Sequence, residues 1–485
     1  MISCLDLLGD YNTGYPLKID FIDVDSAISH AKQLLETERD ISPALKSALE
    51  VILLLVTVLL NRVTLNSKNS SKPPASDPNR KKGNRKKSDK PSGGQKSHVG
   101  TTLQKIDDPD EIEIITIDRR TLPKGRYTED GFETRQVFDI DISRVVTEYQ
   151  AQRLINEKGQ CFIAPFPDEV TKAAQYGNGI KAHVVYLSQY QLLPYNRIQE
   201  YFADQLGMPI SEGSIYNFNE LAYEKLAGFE TISKEHLVES PCIHADETGI
   251  NINGKRHWLH GTSNDQWTHF FPHAKRGTEA MNDIGILPHF HGILCHDHWK
   301  PYYKYDCTHS LCNAHHLREL TRAWEQDKQE WALEMKRLLE KMNDAVNEAG
   351  GMLLHKEAEK WKVQYRELLG KAEIECPPPD KPKEVKRGRI KRSKARNLLE
   401  RLINYEEDVL RFMTNTWVPF TNNAAENSIR MTKVQQKISG CFRSTKGAEI
   451  FCRVRGYLST CRKQGLSATQ AMTLVFEGKL PEFAL

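Results

Sequence analysis

The chain has 485 residues, of which 39% are hydrophobic and 27% charged, a length and composition that predict a soluble protein of several domains. They exclude a disordered, collagen-like or polytopic membrane chain. The 67 Lys and Arg residues against 64 Asp and Glu residues leave a net charge of +3, so only the distribution of charge can indicate a partner.

Cysteine usage and the apolar stretches indicate the compartment. The ten cysteines are scattered without a Cys-x2-Cys pair, which disfavours a disulfide scaffold and an ordinary zinc ribbon. No basic segment followed by an apolar one opens the chain, and the ten-residue apolar run 51–60 is shorter than the ~20 residues of a membrane span. We therefore expect a cytoplasmic protein with reduced thiols and no membrane partner.

An apolar repeat dominates the N-terminal helical segment, residues 25–66. Its spacings alternate between four and three residues, which predicts a helix with an apolar seam. Such a helix either pairs as a coiled coil or packs in the core of a small bundle, and a repeat this short favours neither. The repeat consists of Leu45, Leu49, Ile52, Val56, Leu59 and Val63.

Residues 67–105 are rich in Ser, Lys, Pro and Gly, which predicts a disordered linker because little apolar surface is available for packing. The linker includes the basic residues Arg80, Lys81 and Lys82. These side chains either bind the phosphate backbone of a nucleic acid or only keep the tether solvated.

Residues 106–168 contain β-branched runs between positions 112 and 146, separated by Gly and Asp. Alternation of this kind predicts short antiparallel strands. We therefore expect a small β-rich domain here.

Residues 169–235 predict two helices, 195–206 and 211–226, with a break at Gly207 and a helix cap at Ser211. Two helices joined by a short Gly-containing turn are typical of a helix-turn-helix. Because such pairs also occur in proteins that do not touch DNA, the pattern alone leaves the function of this region open.

Residues 236–455 alternate strands with a helix. Three adjacent strands, a crossover helix and a further strand predict a mixed sheet of the ribonuclease-H kind, so we expect an α/β core within a multi-domain α+β chain. Asp246 and Asp297 each end an apolar run. If their strands are neighbours, the two carboxylates meet at one end of the sheet.

Two adjacent carboxylates repel each other unless a cation lies between them. Glu426, near the start of a helical stretch, supplies a third acid. Two Asp and a Glu can hold two Mg²⁺ or Mn²⁺ ions about 3.5 to 4 Å apart for chemistry on a phosphodiester. Glu247, next to Asp246 in an extended segment, should point to the opposite face, so we do not assign it to metal.

Four long motifs resemble the transposases of the insertion sequence 66 family, a bacterial branch of the DDE transposases. They are HADETG, HDHWKPY, CNAHHLREL and PFTNNAAENSIRMTKVQQKISGCFRSTKGAEIF. The linker, the small domain and the predicted helix-turn-helix also resemble parts of the family, so the resemblance extends over nearly the whole chain.

The resemblance implies Asp246, Asp297 and Glu426 as catalytic triad and metal ligands. It implies a ribonuclease-H-like domain with a helical insertion at about 320–418 and a helical extension at 456–485. The implied activity is binding of terminal inverted repeats, phosphodiester hydrolysis and strand transfer to target DNA. Because two DNA ends must be handled together, we expect a homo-oligomer, associated with the bacterial nucleoid when bound to DNA. Relatives imply small accessory proteins of the same element.

Two departures from the family pattern affect the expected cofactors. Relatives carry Cys-x2-Cys pairs in the small domain, whereas only Cys161 is present here, so we expect no zinc. The residue after the catalytic Glu is often basic in relatives, but here it is Asn427.

Cys312 and His315 form a Cys-x2-His pair that resembles a signature of several DDE transposase groups. The pair supports the active site, contacts the DNA end or binds a metal ion, and the spacing does not separate these roles. We assign Cys312, His315 and Asn423 to active-site support.

Basic residues concentrate in two further stretches, residues 430–463 and 381–396. The first predicts a DNA-binding face beside Glu426, and the second, in the insertion, either guides DNA or forms a solvated loop. We assign the following side chains to DNA: Arg430, Lys433, Lys437, Arg443, Lys446, Lys386, Arg387, Arg389, Lys391 and Arg392.

The leading interpretation is a DNA transposase. Two alternatives remain: a DNA-binding protein derived from a transposase that no longer catalyses, and a ribonuclease-H-like nuclease that cuts without joining.

Overall fold

The structure is a computed structural model that describes residues 18–19, 22–38, 41–63, 65–66, 69–70, 103–379 and 392–485. The chain divides into two compact units. One comprises Met1–Arg80, Asp168–Ala203 and Pro209–Leu485, and the other Lys81–Pro167 and Asp204–Met208. Several predicted DNA-binding residues lie outside the described residues: Arg80, Lys81, Lys82, Lys386, Arg387, Arg389 and Lys391.

Helices and strands alternate in a mixed α/β fold. Before the central sheet, the elements are β1 (Lys18–Ile19), β2 (Ile22–Asp23), α1 (Val24–Thr37), α2 (Pro43–Val63), β3 (Arg153–Ile155), β4 (Cys161–Ile163), α3 (Asn178–Val185), α4 (Tyr195–Leu206), α5 (Glu212–Lys225) and α6 (Ala227–Val238). The sheet and its crossover helix follow: β5 (Cys242–Ile252), β6 (Lys255–Ser263), β7 (Thr268–His273), α7 (Thr278–Ile284), β8 (Ile293–His296) and β9 (Thr308–Leu311). The remaining helices are α8 (Asn313–Asp327), α9 (Glu330–Glu348), α10 (His355–Glu375), α11 (Lys394–Asn404), α12 (Glu406–Leu410), α13 (Asn423–Ser439), α14 (Thr445–Lys463) and α15 (Ala468–Glu477).

The central sheet has five strands in the order β7-β6-β5-β8-β9. β5, β6 and β7 are antiparallel neighbours, whereas β8 and β9 run parallel to β5. The apolar runs of the sequence form these strands because both faces of the sheet are covered by helices, so nearly every position of β5 is buried or half-buried. The predicted mixed sheet is confirmed.

A glycine lets α13 lie close to the sheet. Gly261 on β6 pairs with Asp246 on β5, and a Cβ at Gly261 would lie 2.9 Å from the side chain of Ile429 on α13. Because only glycine leaves this space, α13 rests on the sheet beside Asp246. On the opposite face, Met281 and Ile284 of α7 lie against Ala245.

Helices α8 to α12 pack around a core of their own between β9 and α13. Trp331 and Tyr365 are among its largest fully buried side chains. The Tyr365 hydroxyl donates a hydrogen bond of 3.0 Å to the carbonyl of Leu402, so α10 is tied to the end of α11. This core continues to Cys242 and Cys295 on the sheet.

Both helices predicted around Gly207 are present. Gly207 has a φ of +54°, a conformation that favours glycine, and Ser211 caps α5 by accepting a hydrogen bond of 3.0 Å from the backbone N–H of Ser214. Asn219 of α5 donates to the hydroxyl of Tyr195 on α4 at 3.1 Å. The two helices are therefore joined by a buried polar contact as well as by the turn.

The predicted strands between positions 112 and 146 are not formed. Within the fully described stretch 106–168, the strands are the hairpin β3 and β4, and the β-branched side chains before it are exposed, Val137 by 92%. β-propensity produces a strand only where a partner strand and a covering layer are available. The prediction of a β-rich domain was therefore wrong for these runs.

Helix α2 is longer and more apolar than the run 51–60 suggested. Pro43–Leu60 is long and apolar enough to cross a membrane by length and composition, and none of it is buried. Core helices of soluble proteins and signal sequences pass the same test, so this property assigns no membrane location. The repeat positions Leu45 and Leu59 are exposed by 53% and 60%.

Candidate active site

Asp246 lies in β5, and Asp297 directly follows the last residue of β8, the neighbouring parallel strand. The register pairs His244 with Cys295, and each aspartate lies two residues further along its chain. Residues two apart in a strand share a face, so Asp246 projects from the same face as His244, towards the side covered by α13. The charge of Asp297 acts on both Asp246 and His315, so its carboxylate lies near this site. Backbone N–H groups orient them: Glu247 donates to Asp246 Oδ1 and Trp299 to Asp297 Oδ1, each at 2.9 Å.

The pKa of Asp246 shows that several carboxylates crowd this end of the sheet. Burial, followed by the negative charges of Glu247 and Asp297, raises the pKa of Asp246 to about 8, and Glu426 adds to the rise. The backbone N–H of Glu247 opposes the shift. A cation placed among these groups would relieve the repulsion.

Glu426 lies in the first turn of α13, next to basic groups of α8. Its Oε1 is 3.5 Å from Arg318 Nη2 and 3.7 Å from His315 Nδ1. Both Glu426 Oε1 and His315 Nδ1 are buried without a hydrogen-bond partner among the described residues. Burial, and then the charge of Arg318, lowers the pKa of His315. The sulfur of Cys312 and donor atoms of His315 and Glu426 all lie within 4.8 Å of one another.

The donor atoms fit hard divalent cations. The charges of Asp297 and Glu426 both act on Asp246, and Glu426 Oε1 lacks a hydrogen-bond partner among the described residues. Mg²⁺ and Mn²⁺ prefer such oxygen ligands. The Cys312 and His315 pair beside Glu426 could also hold a softer ion. The structure thus brings Asp246, Asp297, Glu426, Cys312 and His315 to one site.

Asn422, which the sequence did not single out, supports this site. It is 3% exposed, donates from Nδ2 to the carbonyl of Ala245 at 3.0 Å, and its Oδ1 lies 2.6 Å from His244 Nδ1. Its backbone N–H donates to the sulfur of Cys312 at 3.1 Å. Asn423, which was predicted to have this role, is exposed. Two adjacent Asn residues at a helix start look alike in sequence, so the spacing could not distinguish them.

Glu247 is held on the other face, as predicted. It accepts hydrogen bonds from the Tyr302 hydroxyl at 2.6 Å and from Arg276 Nε at 2.7 Å. The Arg276 guanidinium lies over the rings of Trp258 and Trp299, 4.9 and 4.3 Å from their centroids. Burial raises the pKa of Glu247, whereas the bond from Tyr302 lowers it.

The predicted DNA-binding residues fall into two groups. Arg430, Lys437 and Arg443 are exposed around α13. Lys433 donates to the carbonyl of Gly249, and Lys446 lies 3.9 Å from the ring centroid of Tyr223. Burial lowers the pKa of Lys433. In the insertion, Arg392 forms an ion pair with Glu400.

Three other basic residues of the stretch 430–463 have structural roles. Arg453 donates to Glu230 at 2.7 Å, Arg455 donates to the carbonyl of Tyr190 at 3.0 Å, and Lys463 donates to the carbonyl of Asn264 at 2.6 Å. Burial lowers the pKa of Lys463 to about 8. These three cations are therefore engaged within the protein, and DNA binding by the other basic residues of this stretch stays a prediction.

Comparison with known families identifies the chain. Residues 173–450 match the family described as Transposase IS66 family, and residues 23–104 match one described as a family of unknown function. No match was found among curated proteins. The transposase match includes the central sheet and helices α3 to α13, but begins after residue 172, so it covers less of the chain than the motifs suggested. Because it covers more than half of the chain, the protein belongs to the IS66 family of transposases.

Proposed function

We propose that the protein is a DDE transposase that binds the terminal inverted repeats of its element, cleaves a phosphodiester there and joins the exposed 3′-hydroxyl to target DNA. The convergence of Asp246, Asp297 and Glu426 at one end of the sheet carries the proposal. The strand order β7-β6-β5-β8-β9, with three antiparallel strands followed by two parallel ones, supports a ribonuclease-H-like core.

The three carboxylates would hold two Mg²⁺ or Mn²⁺ ions, which supply Lewis acidity at the phosphorus and at the oxygens that attack and leave. The chain itself orients these ligands. Backbone N–H groups hold Asp246 and Asp297, and Asn422, four residues before Glu426, ties the start of α13 to β5. Arg318, beside Glu426, is placed to hold a phosphate oxygen near the reacting group.

An assay of cleavage and joining, on a duplex that carries the element's terminal repeats, distinguishes a transposase from a nuclease and from a non-catalytic DNA-binding protein. With Mg²⁺ or Mn²⁺, and with the small proteins encoded beside it supplied, we expect nicked ends and joined products. Nicking without joining would favour the ribonuclease-H-like nuclease. Binding without nicking in either metal would favour the non-catalytic DNA-binding protein and refute the proposal.

The exposed cations around α13 are proposed to bind DNA. Replacing Arg430, Lys437 and Arg443 together by Ala should weaken binding and reduce the slope of log affinity against log salt by about 2 to 3, because each phosphate contact releases about one counterion. Fluorescence anisotropy at several salt concentrations measures this slope. The matched control replaces Lys356, Lys360 and Lys371 on α10, and an equal loss in both triple variants would contradict a specific surface.

Helix α2 is proposed to mediate homo-oligomerisation through its exposed apolar repeat. Lysine at Ile52 and Leu59 would place charges in the seam, so we expect the variant to dissociate into smaller species at micromolar concentration. Sedimentation velocity measures the change. Ser47→Lys, on the same helix outside the repeat, should leave the assembly intact, and an unchanged oligomer in the double variant would contradict the role of α2.

We propose that residues 169–235, with α4 and α5, form the helix-turn-helix that recognises the terminal repeats, and that α8 to α12 form the insertion of the catalytic domain. The two helices and their polar contact support the first assignment, and the shared apolar core of α8 to α12 supports the second.

A further inference from the structure

We propose that Cys242, His244 and Cys295 form a buried zinc site within the sheet, below the catalytic carboxylates. Cys242 and His244 lie on β5 and Cys295 on β8, all on the face that carries Asp246. The site differs from the carboxylate site in its ligands and goes beyond the proposed function. Bound zinc would join the two strands that present the catalytic aspartates.

The distances suit a tetrahedral cation. The two sulfurs are 3.6 Å apart, and a ring nitrogen of His244 lies within 4.8 Å of both. Two thiolates about 2.3 Å from a tetrahedral zinc ion are about 3.8 Å from each other. The sulfurs therefore already have the separation that shared coordination requires, and all three residues are buried.

The histidine is held in the form that a metal ligand needs. Asn422 donates from Nδ2 to the carbonyl of Ala245, so its Oδ1 faces His244 Nδ1 at 2.6 Å. An amide oxygen can only accept, which places the ring proton on Nδ1 and leaves the lone pair on Nε2. Metal-binding histidines are commonly oriented by such a bond to a carbonyl oxygen.

A further cysteine, Cys312, follows the next strand, β9. The register pairs Cys295 with Ser310 on β9, so Cys312 lies two residues further on the same face. Its sulfur accepts a hydrogen bond from the backbone N–H of Asn422 at 3.1 Å. It also lies within 4.8 Å of donor atoms of His315 and Glu426, so the proposed zinc site has three protein ligands, Cys242, His244 and Cys295, and a fourth position for water.

A disulfide explains the close sulfurs less well. Cys242 pairs with Ile293, so Cys295 is its diagonal neighbour. Both cysteines are free, and their sulfurs are 3.6 Å apart, well beyond the length of an S–S bond, about 2.05 Å. The sequence showed no sign of the site because its ligands come from two strands far apart in the chain, without a short Cys-x2-Cys spacing.

Cobalt binding to the full-length protein tests the site. After chelation and addition of Co²⁺, we expect about one equivalent to give the near-ultraviolet absorption of a thiolate-cobalt bond. Cys242→Ala and Cys295→Ala should lose this absorption. Cys452→Ala removes an equally buried cysteine outside the cluster and should keep it, as should His315→Ala, which alters only the group around Glu426.

X-ray absorption spectroscopy of the zinc-loaded wild-type protein measures the ligand distances directly. It does not require that any substituted protein folds. The proposal requires at least two sulfur ligands at about 2.3 Å and a nitrogen at about 2.0 Å. If the zinc ion has only oxygen ligands, or if the protein retains no zinc, the two cysteines are only small apolar residues of the core. Thiolate-cobalt absorption that persists in both Cys242→Ala and Cys295→Ala would overturn the assignment as well.

Discussion

Glu426→Gln should abolish cleavage and joining while DNA binding persists. The change keeps the shape of the side chain but removes the charge that, with Asp246 and Asp297, would hold the metal ions. We expect the cleavage rate to fall about a thousandfold or more, which corresponds to roughly 4 kcal/mol of barrier. Rates from gel assays on terminal-repeat duplexes, together with binding by fluorescence anisotropy, measure both effects.

Glu449→Gln is the matched control because it removes one carboxylate charge from α14. It should cleave at the wild-type rate. If Glu426→Gln cleaves within a few-fold of wild type, Glu426 is not the third acid, and the other carboxylates at this end of the sheet would have to be reconsidered.

Asn422→Ala should be among the most destabilising substitutions near the site. The side chain makes no helix-capping bond, so the loss comes from its buried contacts to His244 and to the carbonyl of Ala245. Leaving buried polar groups without partners costs about 1 to 3 kcal/mol each. We expect the free energy of unfolding to fall by about 3 kcal/mol, as measured by urea denaturation.

Asn423→Ala provides a neighbouring control of the same residue type. Its side chain is exposed, so the free energy of unfolding should change by less than about 0.5 kcal/mol. Equal effects of the two substitutions would mean that Asn422 does not hold α13 against β5. Cleavage by Asn422→Ala at a temperature where it is folded then shows whether this contact also positions Glu426.

The sequence predicted most of the central sheet because apolar residues recur in short segments bounded by polar residues, as in Ile293–His296 of β8. It also predicted the start of α5, because a Ser cap and a preceding Gly act locally. The prediction that Asp246 and Asp297 lie close together required only that the two apolar runs before them become neighbouring parallel strands. The register of β5 and β8 shows that they do.

What the sequence missed depends on contacts between distant segments. The alternation of apolar and polar residues between positions 112 and 146 predicted strands, but it could not show that these segments lack partner strands in the described structure. The zinc ligands and the contacts of Asn422 join residues far apart in the chain. Basic residues in one stretch look equivalent until the fold buries Arg455 and Lys463 against backbone carbonyls.

The central claim is that Asp297 binds a catalytic metal ion. The rate of DNA cleavage by the Asp297→Cys variant in Mg²⁺ and in Mn²⁺ tests it most directly. If Asp297 binds the catalytic ion, a sulfur ligand should suppress cleavage in Mg²⁺, which prefers oxygen, while Mn²⁺, which is softer, should restore a measurable part of it. Wild type should cleave in both metals. Cleavage by Asp297→Cys that is equal in Mg²⁺ and Mn²⁺ and close to wild type would contradict a metal site built on this carboxylate.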